Sequence, residues 1–180
     1  MYLKRLDFCF LKERLSPAVL WLFLARGCGL GLLPLMPGTW GSLGGLVLFG
    51  FFHYLFSGNQ LLLGAAVLIL VFISFPLSAA GIKHYSTPDP SPVVIDEFAG
   101  QFLALFPLWW SIFWPALWPG YLLGFVLFRF FDALKIFPVK VAEKLPGAAG
   151  VVADDLVAGV MANIILTAAG YLVFGFSLLG

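Results

Sequence analysis

The sequence predicts an all-α, polytopic membrane helical bundle of about five spans, preceded by an N-terminal interfacial or re-entrant segment. Three observations predict it. The 180 residues are 62% hydrophobic and 11% charged, with a mean hydropathy of +1.03, against about 25% charged for soluble domains. Ten Lys/Arg and nine Asp/Glu cannot cover a water-soluble globule of this size. Apolar stretches recur near the roughly 20 residues that cross a bilayer as a helix. The charges fall in a few places along the chain and leave the other connections bare.

Taken in order, residues 1–16 mix charges with single apolar residues and form a cytoplasmic tail within one integral-membrane domain, 1–180. Without a continuous apolar run or an Ala-x-Ala site, the tail is not a cleavable signal peptide. Pro17–Leu35 is apolar but carries Arg26 and several glycines, so it is expected at the interface or re-entrant rather than as a sixth span. The predicted spans are Thr39–Phe56, Gln60–Ile82, Phe98–Trp118, Tyr121–Phe131 (continuing past the membrane surface) and Leu156–Phe176. With five spans, the tail, Lys83–Glu97 and Arg129–Asp155 share one side, and the uncharged turns and C-terminus share the other. Every Lys and Arg then lies on one face, which the positive-inside rule makes cytoplasmic. Trp109, Trp110, Trp114 and Trp118 mark the opposite interface.

Composition also excludes functions. A net charge of +1 is not that of a nucleic-acid binder. Cys9 and Cys28 form no metal pair, and neither is followed by an Arg at phosphatase-loop spacing. His53 sits in an apolar span as a core residue, while His84 lies in a charged region; no Ser-His-Asp arrangement is convincing.

Orientation depends on Lys and Arg and hardly on acids, so two acidic pairs need another explanation. Asp96-Glu97 and Asp154-Asp155 each stand where a polar loop enters a span, in similar contexts: Val93-Val94-Ile95 before one, Val151-Val152-Ala153 before the other. Small residues follow about one turn later, at Gly100 and at Ala158-Gly159, on the helix face of the acids. They let two helix starts approach closely and bring four carboxylates together. Any one acid could instead complement a helix dipole or cap. Four together at a low-dielectric boundary repel unless protonated or neutralised. Without His or Cys partners they suit a hard ion such as Mg²⁺.

Arg129, Asp132 and Lys135 recur at i, i+3, i+6 at the end of the fourth span. Two readings stand: a snorkelling helix end with local ion pairs, or a cationic clamp in which Arg129 matches phosphate oxygens and Asp132 joins a metal shell or orients Arg129. Pro37-Gly38-Thr39-Trp40-Gly41-Ser42-Leu43-Gly44-Gly45 precedes the first span. It reads as a glycine-rich turn that packs, or as an anion site in which Thr39, Ser42 and helix-start amides donate.

These motifs together resemble the phosphatidylglycerophosphatase A family of bacterial inner-membrane lipid phosphatases. The likeness rests on Pro37–Ser42, Val94–Glu97 with Gly100, Phe128–Asp132 with Lys135 and Pro138, Gly147 and Gly150, and Asp154-Asp155 with Ala158-Gly159, across residues 25 to 165. One departure is Ile136, where the family commonly has a second Pro after the Lys; it bears on the local turn. The resemblance implies Mg²⁺-dependent hydrolysis of the terminal phosphate of phosphatidylglycerophosphate to phosphatidylglycerol, at the cytoplasmic face of the inner membrane. On it, Asp96, Glu97, Asp154 and Asp155 hold one or two Mg²⁺ ions, and Asp132 is a further ligand or base. Arg129, Lys135, Thr39 and Ser42 bind the substrate phosphate. The expected partners are that lipid and the surrounding membrane lipids, not nucleic acid. The alternative is a small cation transporter or channel using the same carboxylates.

Overall fold

The computed structural model describes residues 17–56, 59–106 and 117–172. The predicted tail, residues 107–116 of the predicted third span (with Trp109, Trp110 and Trp114) and the C-terminal residues lie outside the described residues. All regular structure among the described residues is helical: α1 (Pro17–Ala25), a 3-10 segment (Gly27–Leu32), α2 (Pro37–Leu55), α3 (Gln60–Tyr85), α4 (Ile95–Leu105), α5 (Leu117–Leu134), α6 (Val139–Ala142) and α7 (Ala148–Gly170).

Local chemistry sets these boundaries. Pro37 stands at the start of α2, where its missing N–H costs nothing. Asn59 caps α3 by accepting from the Leu62 amide at 3.2 Å. Ser86, left-handed at φ 55°, ends α3 ahead of Pro88. Gly147 at φ 60° precedes α7. In the entry segment, the nine described residues of α1 cover roughly 14 Å, and the chain then breaks at Cys28 and Gly29, both at positive φ. Arg26 ties this segment to α3 through a 2.8 Å bond from Nε to the Tyr85 hydroxyl.

Helix α4 is the hub. Nine of its eleven residues are buried, because α2, α3, α5 and α7 surround it. Its closest neighbour is α7. A Cβ on Gly159 would overlap the Gly100 carbonyl, and a Cβ on Gly100 would lie 2.7 Å from the Asp155 carbonyl oxygen. These backbones therefore touch, as the small residues predicted. Along α2, Gly41 and Gly45 bring the chain onto α4 in the same way. Phe49, Phe102, Leu105 and Leu166 fill the middle of the bundle, with Phe49 and Phe102 edge to face at 5.4 Å. His53 is in this core as expected, 2.7 Å from the Tyr121 hydroxyl.

The outside is apolar: Leu61, Phe72, Ile164 and Leu172 are among many large side chains more than half exposed. Among the described residues, two helices, Gln60–Tyr85 and Ala148–Gly170, are long and apolar enough to cross a membrane. That is fewer than the five expected. Of the predicted third span, residues 98–105 lie in the 11-residue helix α4, and residues 117–118 open α5 instead.

Gln101 is fully buried on α4, and neither side-chain polar atom has a partner among the described residues. An unsatisfied buried amide costs about 1–3 kcal/mol. Gln101→Met, similar in shape and apolar, is therefore expected to raise the thermal midpoint in detergent. A lowered midpoint would show that the amide is satisfied in the working protein.

Candidate active site

The starts of α2 and α4, the end of α5 and the first turns of α7 meet at one end of the bundle around a cleft of about 580 Å³. Thr39, Asp96, Glu97, Arg129, Asp132, Lys135, Asp154 and Asp155 all line it. Four stretches spread over more than a hundred residues thus converge, and only Ser42 of the expected site residues is not on the cleft wall.

Two corrections concern where these residues sit on their helices. The glycine-rich motif is not a turn. It forms the opening turns of α2, whose small residues face α4. The two acidic pairs are not equivalent either. Asp96-Glu97 lie in the first turn of α4, where the helix dipole favours them, but Asp154-Asp155 lie about two turns inside α7. No helix end compensates the second pair. The likeness between the pairs survives locally: Asp96 Oδ1 accepts from the Glu97 amide at 3.0 Å, and Asp154 Oδ1 from the Asp155 amide at 3.1 Å.

Glu97 is the centre of the polar network. Arg129 Nη1 donates to both of its oxygens, at 2.7 and 2.6 Å, and pairs with Asp132 at 2.8 Å. Ser42 Oγ lies 2.7 Å from Glu97 Oε2 and 2.9 Å from the Gly38 carbonyl, and it accepts from Arg129 at 3.2 Å. Fully buried behind Glu97, Ser42 fixes that carboxylate rather than facing a ligand. Gly38 leaves room for this carboxylate: a Cβ there would meet Glu97 Oε1 and push the side chain out of its network. Lys135, left-handed at φ 45°, ends α5 and turns its ammonium between Glu143 and Asp154. The Ile136 departure leaves the turn intact: the Val139 amide closes onto the Ile136 carbonyl at 2.8 Å.

Sequence reasoning missed Asp89 and Glu143, which also line the cleft. Asp89 sits among the prolines of Thr87–Pro92, a stretch stiff enough to hold a side chain at a rim. Among the described residues the cleft then presents seven carboxylates against two cations. Burial, and next the Glu97 charge, hold the Asp96 carboxyl well above the usual range. Burial raises Glu97 to about 7 against the pull of Arg129, with Asp132 adding to the rise. For Lys135, burial favours the neutral amine, but Glu143 and Asp154 outweigh it and raise its pKa.

Such a site favours a cation. Oxygens of Glu97, Asp132 and Asp155 lie within 4.8 Å of one another, one from each of α4, α5 and α7. This oxygen-only set fits a hard divalent ion. It differs from the expected four: Asp132 joins it, while Asp96 and Asp154 border it, Asp154 being held by Lys135.

The sequence profile of phosphatidylglycerophosphatase A matches residues 23–170, which include every cleft residue named above. The chain belongs to the phosphatidylglycerophosphatase A family. Among curated relatives, the phosphatidylglycerophosphatase A of Haemophilus influenzae is 36% identical over 82% of this chain and 87% of its own length. That of Escherichia coli is 33% identical over 89% of both chains. A Bacteroides thetaiotaomicron protein with the provisional name phosphatidylinositol-3-phosphatase is 31% identical over 87% of this chain and 98% of its own. No solved structure matches. Nothing in family membership or geometry favours the transporter alternative: below the cleft, Asn163 is committed to the Leu103 carbonyl at 2.8 Å and Gln101 is sealed in the core.

Proposed function

We propose that the protein is a divalent-metal-dependent phosphatase that hydrolyses the terminal phosphate of phosphatidylglycerophosphate to give phosphatidylglycerol. The observation that carries this reading is the convergence of Glu97, Asp132 and Asp155 beside Arg129 in one cleft, in a chain of this family. The excess of carboxylates argues for the metal independently, because a phosphate monoester dianion would be repelled from the bare site. Glu97, Asp132 and Asp155 would hold the ion, with Mg²⁺ the natural choice for hard oxygen ligands. A bound divalent ion supplies electrophilic stabilisation of charge on the phosphoryl group.

The chain's own residues do the rest. Arg129, anchored through Nη1, has Nε and Nη2 outside its carboxylate network among the described residues, donors that suit phosphoryl oxygens. Lys135, steadied by Glu143 and Asp154, adds a second positive charge at the wall. Water supplies the incoming oxygen and yields a proton to a cleft carboxylate. The phosphorus–ester oxygen bond breaks, and the glycerol oxygen leaves with a proton.

In this reading the protein spans the bacterial inner membrane about five times. The cleft end faces the cytoplasm, where the Lys and Arg residues gather. The apolar exterior and the two long helices support it. The acyl chains then stay beside the bundle while the headgroup reaches the cleft.

The test is phosphate release by detergent-solubilised protein from phosphatidylglycerophosphate, beside phosphatidylinositol 3-phosphate and other lipid phosphates, with phosphatidylglycerol identified by mass. Preference for another lipid phosphate would reassign the substrate; no release from any of them would end the phosphatase reading. Excess EDTA is expected to reduce release to background, and added Mg²⁺ to restore it. Persistence of full activity in EDTA would remove the metal from the mechanism.

A further inference from the structure

Resting on the membrane reading above, we infer that residues 136–145 dock onto the headgroup–acyl boundary of an anionic bilayer leaflet and seat the cleft mouth at the depth of lipid phosphates. Between two helices at a charged end of the bundle, this stretch would ordinarily be a polar loop in water. Its exposed residues say otherwise. On α5, Leu122, Val126, Phe130 and Leu134 recur every four residues and are 49–58% exposed, one outward stripe along the helix. Exposed apolar residues do not stop where α5 stops: past the turn at Lys135, Ile136 and Phe137 follow, 41% and 77% exposed.

Beyond the turn, Val139 is fully buried and pins α6 to the bundle. Val141 and Leu145, four residues apart, are 54% and 50% exposed. Lys140 and Lys144, also four apart, are exposed beside them and make no ion pair among the described residues. Exposed apolar residues that follow the stripe in sequence, beside lysines with no ion pair among the described residues, have the chemistry of an interfacial anchor. Near an anionic surface each lysine strengthens binding by about fivefold. Lys135 directly before the stretch, and Glu143 and Leu145 within it, line the cleft wall, so docking the stretch fixes the height of the site above the acyl chains.

The test uses the full chain with Cys9 and Cys28 changed to Ser and a nitroxide placed singly at Val141→Cys, Val126→Cys or Thr87→Cys. Each is reconstituted in phosphatidylcholine vesicles with or without phosphatidylglycerol, and its accessibility to oxygen and to a water-soluble nickel chelate is read. Expected is a deep label at 126, a water-exposed one at 87 and one at the headgroup boundary at 141. Adding Lys140→Glu and Lys144→Glu should move the label at 141 outward in the anionic vesicles. A label at 141 as nickel-accessible as that at 87, with 126 deep, overturns the inference alone. A label at 126 in water overturns the membrane reading itself. Spin–spin broadening at 141 between copies would assign the surface to a second copy of the chain and overturn the lipid docking.

Discussion

Glu97→Gln is expected to reduce phosphate release by about a hundredfold to a thousandfold, the scale on which single preorganised electrostatic groups act, while the helical bundle stays folded. The substitution keeps shape and removes charge. Glu97 now accepts two bonds from Arg129 Nη1 and is held by Ser42. A Gln amide would turn an N–H donor toward at least one of these partners, and the oxygen trio would lose one of its three anions. Arg129 would swing toward Asp132, which remains its partner at 2.8 Å. Stability should not fall much, because burial already penalises the Glu97 charge and raises its pKa to about 7; removing that charge relieves a cost while losing an ion pair. The measurement is turnover on phosphatidylglycerophosphate together with the thermal midpoint in the same detergent. Near wild-type turnover would take Glu97 out of the machinery. A collapsed midpoint would instead mean that the pair with Arg129 holds the helices together.

The sequence made the helical class legible because composition and apolar run length are local properties. It made the helix crossing legible too: Gly100 and Gly159 can be read as contact points without knowing what they touch. Span number was harder. Run length does not distinguish a lipid-facing helix from one enclosed by its neighbours, and α4 is enclosed. The position of Asp154-Asp155 inside α7 was hidden because Gly147-Ala148-Ala149-Gly150 looks like loop, yet these residues begin the helix. Gly150 allows it, since a Cβ there would strike the Leu145 carbonyl as the chain doubles back. Ser42 looked like a ligand-facing hydroxyl because one sequence cannot tell which side of a helix meets another helix. Asp89 and Glu143 were missed for a related reason: neither belongs to a motif, and only the packing of α3, α4 and α6 carries them to the rim.

Gly159→Leu is expected to separate α4 from α7 and to destroy activity and stability together, although the residue lies in the helix contact one turn below Asp155 and touches no proposed ligand. The backbones meet at Gly100 and Gly159, and the first side-chain carbon would fall inside the Gly100 carbonyl group. That obstacle is backbone, which cannot rotate away as a side-chain tip can. Overpacking usually costs 1–3 kcal/mol; here rigid displacement of two helices places the expected loss at about the top of that range or above. Glu97 and Asp155 stand on these two helices, so the displacement also opens the oxygen trio. Gly159→Ala should give an intermediate loss, because its methyl makes the same clash while Ala gains about 1 kcal/mol of helix propensity over Gly. Gly50→Ala is the control. Among the described residues nothing lies within 4 Å of a Cβ there, so only the propensity gain remains and the midpoint should rise slightly with activity intact. If Gly159→Leu retained both midpoint and turnover, α4 and α7 would not be in backbone contact in the working enzyme, and the carboxylates they carry would have no fixed distance at which to share an ion.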